Sequence, residues 1–392
     1  MNIWNILDTY MTKEPYIRDQ RWVNLYPSEA SIRVTNQWGE QETQGTCQRR
    51  AWLRYKVAED LNRNLGTDIA TIQIGNDIVA VMPEPPDPRR EWIFEEGRRI
   101  ESTILDVARS AGVFELGHRK FNIPVDKETN LVGETDGLLK IEDEYLGVEI
   151  KSTSGYNAER EVYGTAKTRH LGGKGDPKIQ HLLQTAIYTW HYRFKLPCFK
   201  ILYFHRGSCL RTEFLVTIDE DSETGTCRIL VDNKDTDITI ENILDRYREL
   251  SFKLKNDIFP DREFTLSYND EQMNKLLARD KLSRTLKTQW EKYWDRKQNG
   301  GRQVKRPEHG DFACIFCPYK GVCYDKQKSP IEYDTILHAD VASETDDNDG
   351  DGHGDCRGSS GDIRPESKDM DRSTDDVPAK EPQPSDDKVS GS

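Results

Sequence analysis

Apolar residues recur at helical spacing in "DPKIQHLLQTAIYTWHYRF", where Ile179, Leu182, Leu183, Ala186 and Trp190 mark one face. With Asp176 as its cap and Pro177 in its first turn, this is the clearest helix of the chain. Upstream, "EWIFEEGRRIESTILDVARSAG" carries a second stripe of Ile100, Ile104, Val107 and Ala108, and Gly112 is placed to cap its C-terminus. Between these helices the pattern shifts to strands. "KFNIPV" and the stretch 131–152, "LVGETDGLLKIEDEYLGVEIKS", read as extended chain, the latter folding back through "KIEDEY". "CFKILYF" and "RTEFLVTI" are two further strands, and the region from about 237 to 297 is broadly helical. A basic helical stretch, "GTCQRRAWLRYKVAEDL", closes a first segment, and the prolines of "PEPPDPRR" at 83–90 argue against helix or central strand there. Helix, strands, helix, strands predicts an α/β or α+β core, a mixed sheet flanked by helices.

Composition refines this picture. The 392 residues suffice for one large domain or two ordinary ones. The opening "MNIWNILDTYMTKEP" has Asp8 inside its only apolar stretch and lacks a basic leader, and no later run approaches a membrane span. The expected setting is cytoplasmic, in a prokaryotic or virus-infected cell, with no membrane partner. A net charge of −13 argues against nucleic acid until its distribution is read. Asp340 to Ser392 holds 16 acidic and 6 basic residues, leaving 53 acidic and 50 basic in the nearly neutral body. That tail contains no aromatic residue and few apolar ones, so it is expected to be disordered.

Candidate chemistry sits on the strands. A period of two puts Glu149 and Lys151 on one face while Val148 and Ile150 face the other way, and Asp136, between Gly133 and Gly137, comes toward the same end if the two arms pair. Two carboxylates and an ammonium there suit magnesium or manganese. A solvated charged face explains the same residues, and the tail repeats the E-x-K spacing at Glu366 and Lys368. Glu101 lies beside the upstream stripe, one turn after Gly97; a surface pair with Arg98 is the plain alternative. His181, Gln184 and Tyr188 fall in one stripe opposite the apolar face, an ordinary polar face or a grip for phosphate or base. Cys314-x2-Cys317-x5-Cys323 has metal-ligand spacing. By spacing alone zinc leads, with Cys47 or His309 as fourth ligand, although a 4Fe-4S cluster also takes four thiolates. Cys198, Cys209 and Cys227 read as ordinary core or surface cysteines, "LGGKGDPK" as a basic Gly-rich loop that is either a phosphate contact or, more often, a mobile connection, and no P-loop motif occurs.

Taken in order, Gly97-x3-Glu101, "GETDG" with Asp136, Glu149-x-Lys151 and H-x-x-Q-x-x-x-Y resemble the RecB-like branch of the PD-(D/E)xK nucleases. "TCQRRAW" with Cys47, and "CIFCPYKGVC", look like the split cysteine motif of its iron–sulfur members, the CRISPR-associated Cas-four-type exonucleases and the AddB nuclease domain. The resemblance spans roughly residues 45 to 325. It implies a restriction-endonuclease-like core, with Glu101, Asp136 and Glu149 as ligands of Mg2+ or Mn2+ and Lys151 positioning or activating the attacking water. Gln184 and Tyr188 would contact DNA and support the site. Cys47, Cys314, Cys317 and Cys323 would hold a 4Fe-4S cluster, or structural zinc, as a staple between the two ends. The implied layout is an N-terminal segment at 1–92, a nuclease core at 93–235, a C-terminal helical region at 236–335 and the acidic tail at 336–392. The implied activity is exonucleolytic hydrolysis of single-stranded DNA or duplex ends in repair, recombination, replication or CRISPR-like processing, beside a helicase or a recombination or adaptation partner. The alternatives are the nuclease subunit of a helicase–nuclease complex and a non-catalytic, metal-stapled DNA-binding scaffold. The chain departs from that pattern in places: Glu101 occupies a position where relatives often carry His, 56–92 and the acidic tail have no counterpart, and the helices from 237 to 297 match only loosely.

Overall fold

The computed structural model describes residues 24–64, 67–83, 87–300 and 304–324, with Leu7 and Met11. Strand β1 (Asn24–Leu25) precedes a hairpin of β2 (Ser31–Thr35) and β3 (Gln41–Gly45), helix α1 (Gln48–Arg63), a second hairpin of β4 (Ala70–Ile74) and β5 (Asp77–Val81), and helix α2 (Pro88–Ser110). Next come β6 (Phe114–Leu116), β7 (Arg119–Pro124), β8 (Asn130–Thr135), β9 (Gly137–Ile141) and β10 (Glu144–Thr153). The short helices α3 (Tyr156–Tyr163) and α4 (Ala166–His170) lead to α5 (Ile179–Tyr192), followed by β11 (Phe199–His205), β12 (Arg211–Glu220), β13 (Cys227–Val231) and β14 (Lys234–Thr239). Helices α6 (Ile240–Lys255), α7 (Asp270–Ala278) and α8 (Arg284–Asn299) precede the one-turn pair α9 (Phe312–Ile315) and α10 (Lys320–Tyr324).

Seven strands form one mixed sheet in the order β14-β13-β12-β11-β10-β9-β6. Leu146 to Ile150 of β10 are buried without a break because helices cover both faces of this central strand. On one face, Leu183, Ala186 and Ile187 of α5 share a core with Phe199, Ile201, Tyr203 and Phe214; on the other, Ala108 of α2 packs with Leu139, Leu146 and Val148. β10 runs parallel to β11, with Glu149 opposite Ile201 and Lys151 opposite Tyr203. A parallel pair cannot be joined by a tight turn, so the chain crosses over through α3, α4 and α5. β9 and β10 form the expected hairpin, and β8, which pairs with β7 and β1 in a smaller sheet, runs straight into β9. Asp136 is the single residue at that junction. The fold is mixed α/β.

Several local expectations shift. Helix α2 begins inside the proline-rich run, because Pro88 suits a first helical position and the Asp87 carboxylate accepts from Arg89 N at 3.0 Å. The stripe of α2 is rotated: Leu105 and Ala108 are buried, while Val107 is 62% exposed. Asp176 does not cap α5; Lys178 holds that position, and Asp176 N instead donates to Glu161 O. The polar stripe of α5 is not solvent-facing, since Tyr188 is only 2% exposed. Strands β13 and β14, and both N-terminal hairpins, were not foreseen. The tail from 336 onward lies outside the described residues. Among the described residues, no helix is long and apolar enough to cross a membrane.

Candidate metal centre

Four elements converge at one end of the central sheet. The Glu149 side chain, 1% exposed, leaves β10 on the face covered by α5. Its Oε1 accepts from the Lys151 ammonium two residues on, and from Gln184 Nε2 at 2.8 Å; the same Gln184 amide donates to the Tyr188 hydroxyl at 2.8 Å. Gln184 therefore meets the carboxylate directly and Tyr188, one helical turn on along α5, meets it through Gln184, so Glu149, Lys151, Gln184 and Tyr188 form one hydrogen-bonded chain. The other carboxylate oxygen, Glu149 Oε2, is buried without a hydrogen-bond partner.

Asp136 sits across the hairpin, its Oδ2 accepting from Ile150 N at 2.6 Å, and Glu101 reaches the same place from α2. The sequence did not single out their companion. His118, on the link between β6 and β7, places its Nε2 3.7 Å from Glu101 Oε1 and its Nδ1 3.9 Å from Glu134 Oε1. Ligand atoms of Glu101, His118 and Asp136 all lie within 4.8 Å of one another. "GHR" stands at no regular spacing from either carboxylate, so only the fold reveals it. Glu149 is a neighbour of this trio, close enough for the charges of Asp136 and Glu101 to act on it.

Electrostatics follow from crowding and burial. Burial pushes the Glu149 carboxyl up to about 8, with the Asp136 and Glu101 charges adding and Lys151 opposing. Burial likewise raises Asp136 and Glu101, each helped by a neighbouring carboxylate. Burial opposes the Lys151 ammonium, but Glu149 and Asp136 outweigh it and hold its pKa above the ordinary lysine value. His181 donates to or accepts from the Tyr203 hydroxyl at 2.9 Å, and burial and the Lys151 charge lower its pKa far below the usual value. Three carboxylates repelling one another around an orphaned oxygen, with an imidazole alongside, form a donor set that fits a divalent cation. An unpartnered buried polar atom costs about 1–3 kcal/mol, which a cation would offset.

The cysteines occupy a second place. Cys47 is the N-cap of α1; Cys314 lies in α9, Cys323 in α10 and Cys317 between them. Burial pushes Cys47 up to about 11 and Cys323 up to about 12, and the charge of Cys317 raises both, with Cys47 and Cys314 also acting on Cys323. The two ends of the described chain thus bring their thiols within electrostatic reach of one another. His309, the other candidate ligand, packs its ring against Tyr268 with centroids 5.6 Å apart. Cys227 is buried in the core, Cys198 half-buried and Cys209 exposed.

The fold and site define a mixed α/β protein with a carboxylate–imidazole cluster beside a buried Glu–Lys pair. No protein-family model matches the chain, and no curated protein matches it. A solved structure described as "Crystal structure of SSO0001" is similar at 14% identity and a TM-score of 0.33, over 65% of this chain and 87% of that one.

Proposed function

We propose that the chain is a divalent-metal-dependent deoxyribonuclease of the RecB-like PD-(D/E)xK type, with a restriction-endonuclease-like core. The observation that carries this reading is the junction of Asp136 with Glu149 and Lys151 across one hairpin, met by Glu101 from a helix and Gln184 from the crossover. Glu101, His118, Asp136 and the free oxygen of Glu149 would hold the cation, Mg2+ or Mn2+. When bound, it supplies Lewis-acid polarisation of a phosphate and stabilises hydroxide at neutral pH. Lys151, kept charged by its carboxylate neighbours, orients the attacking water and balances negative charge developing at phosphorus. Gln184 fixes the Glu149 rotamer through Oε1 and would leave Oε2 free for the cation, while Tyr188 holds the Gln184 amide in place. Cys47, Cys314, Cys317 and Cys323 supply four thiolates for a 4Fe-4S staple, with structural zinc as the other metal such a set accepts. Thiolates at Cys47, Cys314, Cys317 and Cys323 would repel one another, and a positively charged metal group would offset that repulsion.

The test uses full-length protein purified without oxygen, incubated with 5′- and 3′-labelled oligonucleotides and magnesium or manganese. Metal-dependent cleavage is expected, falling by about 10²–10⁴-fold in Asp136→Asn and Lys151→Met variants of unchanged far-UV spectrum. The preparation should be brown and carry about four irons per chain. Cleavage that persists in Asp136→Asn sinks the active-site assignment; a colourless protein with one zinc replaces iron while keeping the staple.

A further inference from the structure

A cavity of about 750 Å³ opens from the metal centre and runs between α1 and α2. Its near end is formed by Glu101, Lys151 and Gln184. One wall is the stripe of α1 that presents Arg50 and Arg54; the other is the stripe of α2 that presents Arg90, Phe94 and Gly97. Residues 90, 94, 97 and 101 are spaced as one helical face, so α2 carries a straight track from Arg90 to the cation site. Phe94 is 53% exposed and Ile93 40% exposed along this track, so an aromatic ring stands open to solvent on the cavity wall. Gly97 lies between Phe94 and Glu101; a Cβ there would meet only Ser152 Oγ, at 3.5 Å, so its lack of a side chain keeps the track open rather than serving packing.

We propose that this cavity is a single-strand path and that Phe94 is the stacking platform for one base of the DNA strand being cut; the inference rests on the nuclease reading above and names the form of its substrate. Five cationic side chains, Arg50, Arg54, Arg90, Arg98 and Lys151, line it against Glu29, Glu91 and Glu101, the last belonging to the cation site. Arg54 faces Glu29 at 3.5 Å and Arg98 is held by Glu95, so the guanidinium groups are positioned rather than loose. Basic walls follow a phosphate backbone, and an exposed ring accepts any base face; the pair is the recognition chemistry of unpaired strands. The volume lies within the range of small-ligand sites, about 300–1,000 Å³, and suits a few nucleotides of one strand. Seven residues of helix separate Phe94 from Glu101, about 10 Å at ~1.5 Å each. That is about three nucleotides at the ~3.4 Å rise of a stacked strand. The ring therefore meets a base about three positions from the scissile phosphate.

The experiment is a coupling cycle. Full-length wild type and Phe94→Ala are titrated with fluorescent single-stranded oligonucleotides in EDTA, each oligonucleotide carrying one abasic position that is walked along the strand. Phe94→Ala should weaken binding of the intact strand about ten- to hundredfold, the effect of losing one base–aromatic stack. One abasic position should weaken wild type by the same factor and leave Phe94→Ala unchanged, and Phe94→Trp should restore tight binding. Equal affinity of wild type for every abasic strand, or equal loss in Phe94→Ala at every position, overturns the stacking assignment even if cleavage with manganese is normal. Tighter binding of blunt duplex than of single strand overturns the path. The coupling without cleavage in any metal leaves the path standing and overturns the nuclease reading, so the two failures are separable.

Discussion

Glu149 is half satisfied: Lys151 and Gln184 occupy one oxygen, and the other is buried with no hydrogen-bond partner. Its companion His118 adds a nitrogen to an otherwise oxygen-only set, and imidazole suits transition metals better than magnesium. His118→Gln is therefore expected to weaken manganese binding about tenfold while changing magnesium binding little, as read by isothermal titration of the two metals. A ¹⁴N coupling in the electron paramagnetic resonance of bound manganese should vanish in the same variant. Unchanged binding of both metals, with the ¹⁴N coupling retained, would place His118 outside the coordination shell. At this scale the sequence was legible where the period of two decides direction, as for Glu149 and Lys151. It was not legible for His118, which no repeat or spacing connects to Glu101, nor for Tyr188, whose burial depends on a partner strand rather than on its own helix face.

Strand β2 and helices α1 and α6 are tied by one charged knot. Arg33 of β2 meets Glu249 of α6 at 3.0 Å, Arg246 meets the same carboxylate at 2.6 Å and Lys253 at 2.7 Å, while Gln48 at the start of α1 donates to the backbone of Arg246 at 2.9 Å. Burial works against the Glu249 carboxylate, but Lys253, Arg246 and Arg33 outweigh it and hold its pKa down to about 2. A lowered folded-state pKa means the stabilisation is complete above the ordinary value of 4.5 and is lost as pH falls toward about 2. Glu249→Gln should accordingly lower the melting temperature near neutral pH and flatten its decline between those two values; a parallel decline in both proteins would show that the knot does not couple to protons. Long periodic elements such as α2 and α5 were readable from sequence, with ends displaced by a few residues because Pro88 and Asp176 each admit two roles. The hairpins β2–β3 and β4–β5 and the strands β13–β14 were missed, since "TDIATIQIGNDIVAV" and "CRILVDNKDTDIT" mix polar and apolar residues whose burial is set by the helices packed over them.

For the molecule as a whole, β10 and β11 are joined side by side through hydrogen bonds and only remotely through the chain, by the crossover of α3, α4 and α5. The crossover carries an exposed turn at Leu171, 74% exposed, followed by Gly172 and Gly173. Such a turn tolerates interruption because little packing depends on it. Cutting there divides the centre unequally: Glu101, His118, Asp136, Glu149, Lys151 and Cys47 fall to one piece, and Gln184, Tyr188, Cys314, Cys317 and Cys323 to the other. The fold is then a two-key lock. Fragments 1–171 and 172–392, produced together, should dock through the β10–β11 seam and regain cleavage in proportion to their concentration, whereas each alone should be inert. Recovery from mixing, followed by oligonucleotide digestion, would make activity a reporter of whether two separately expressed halves have met in the same cell.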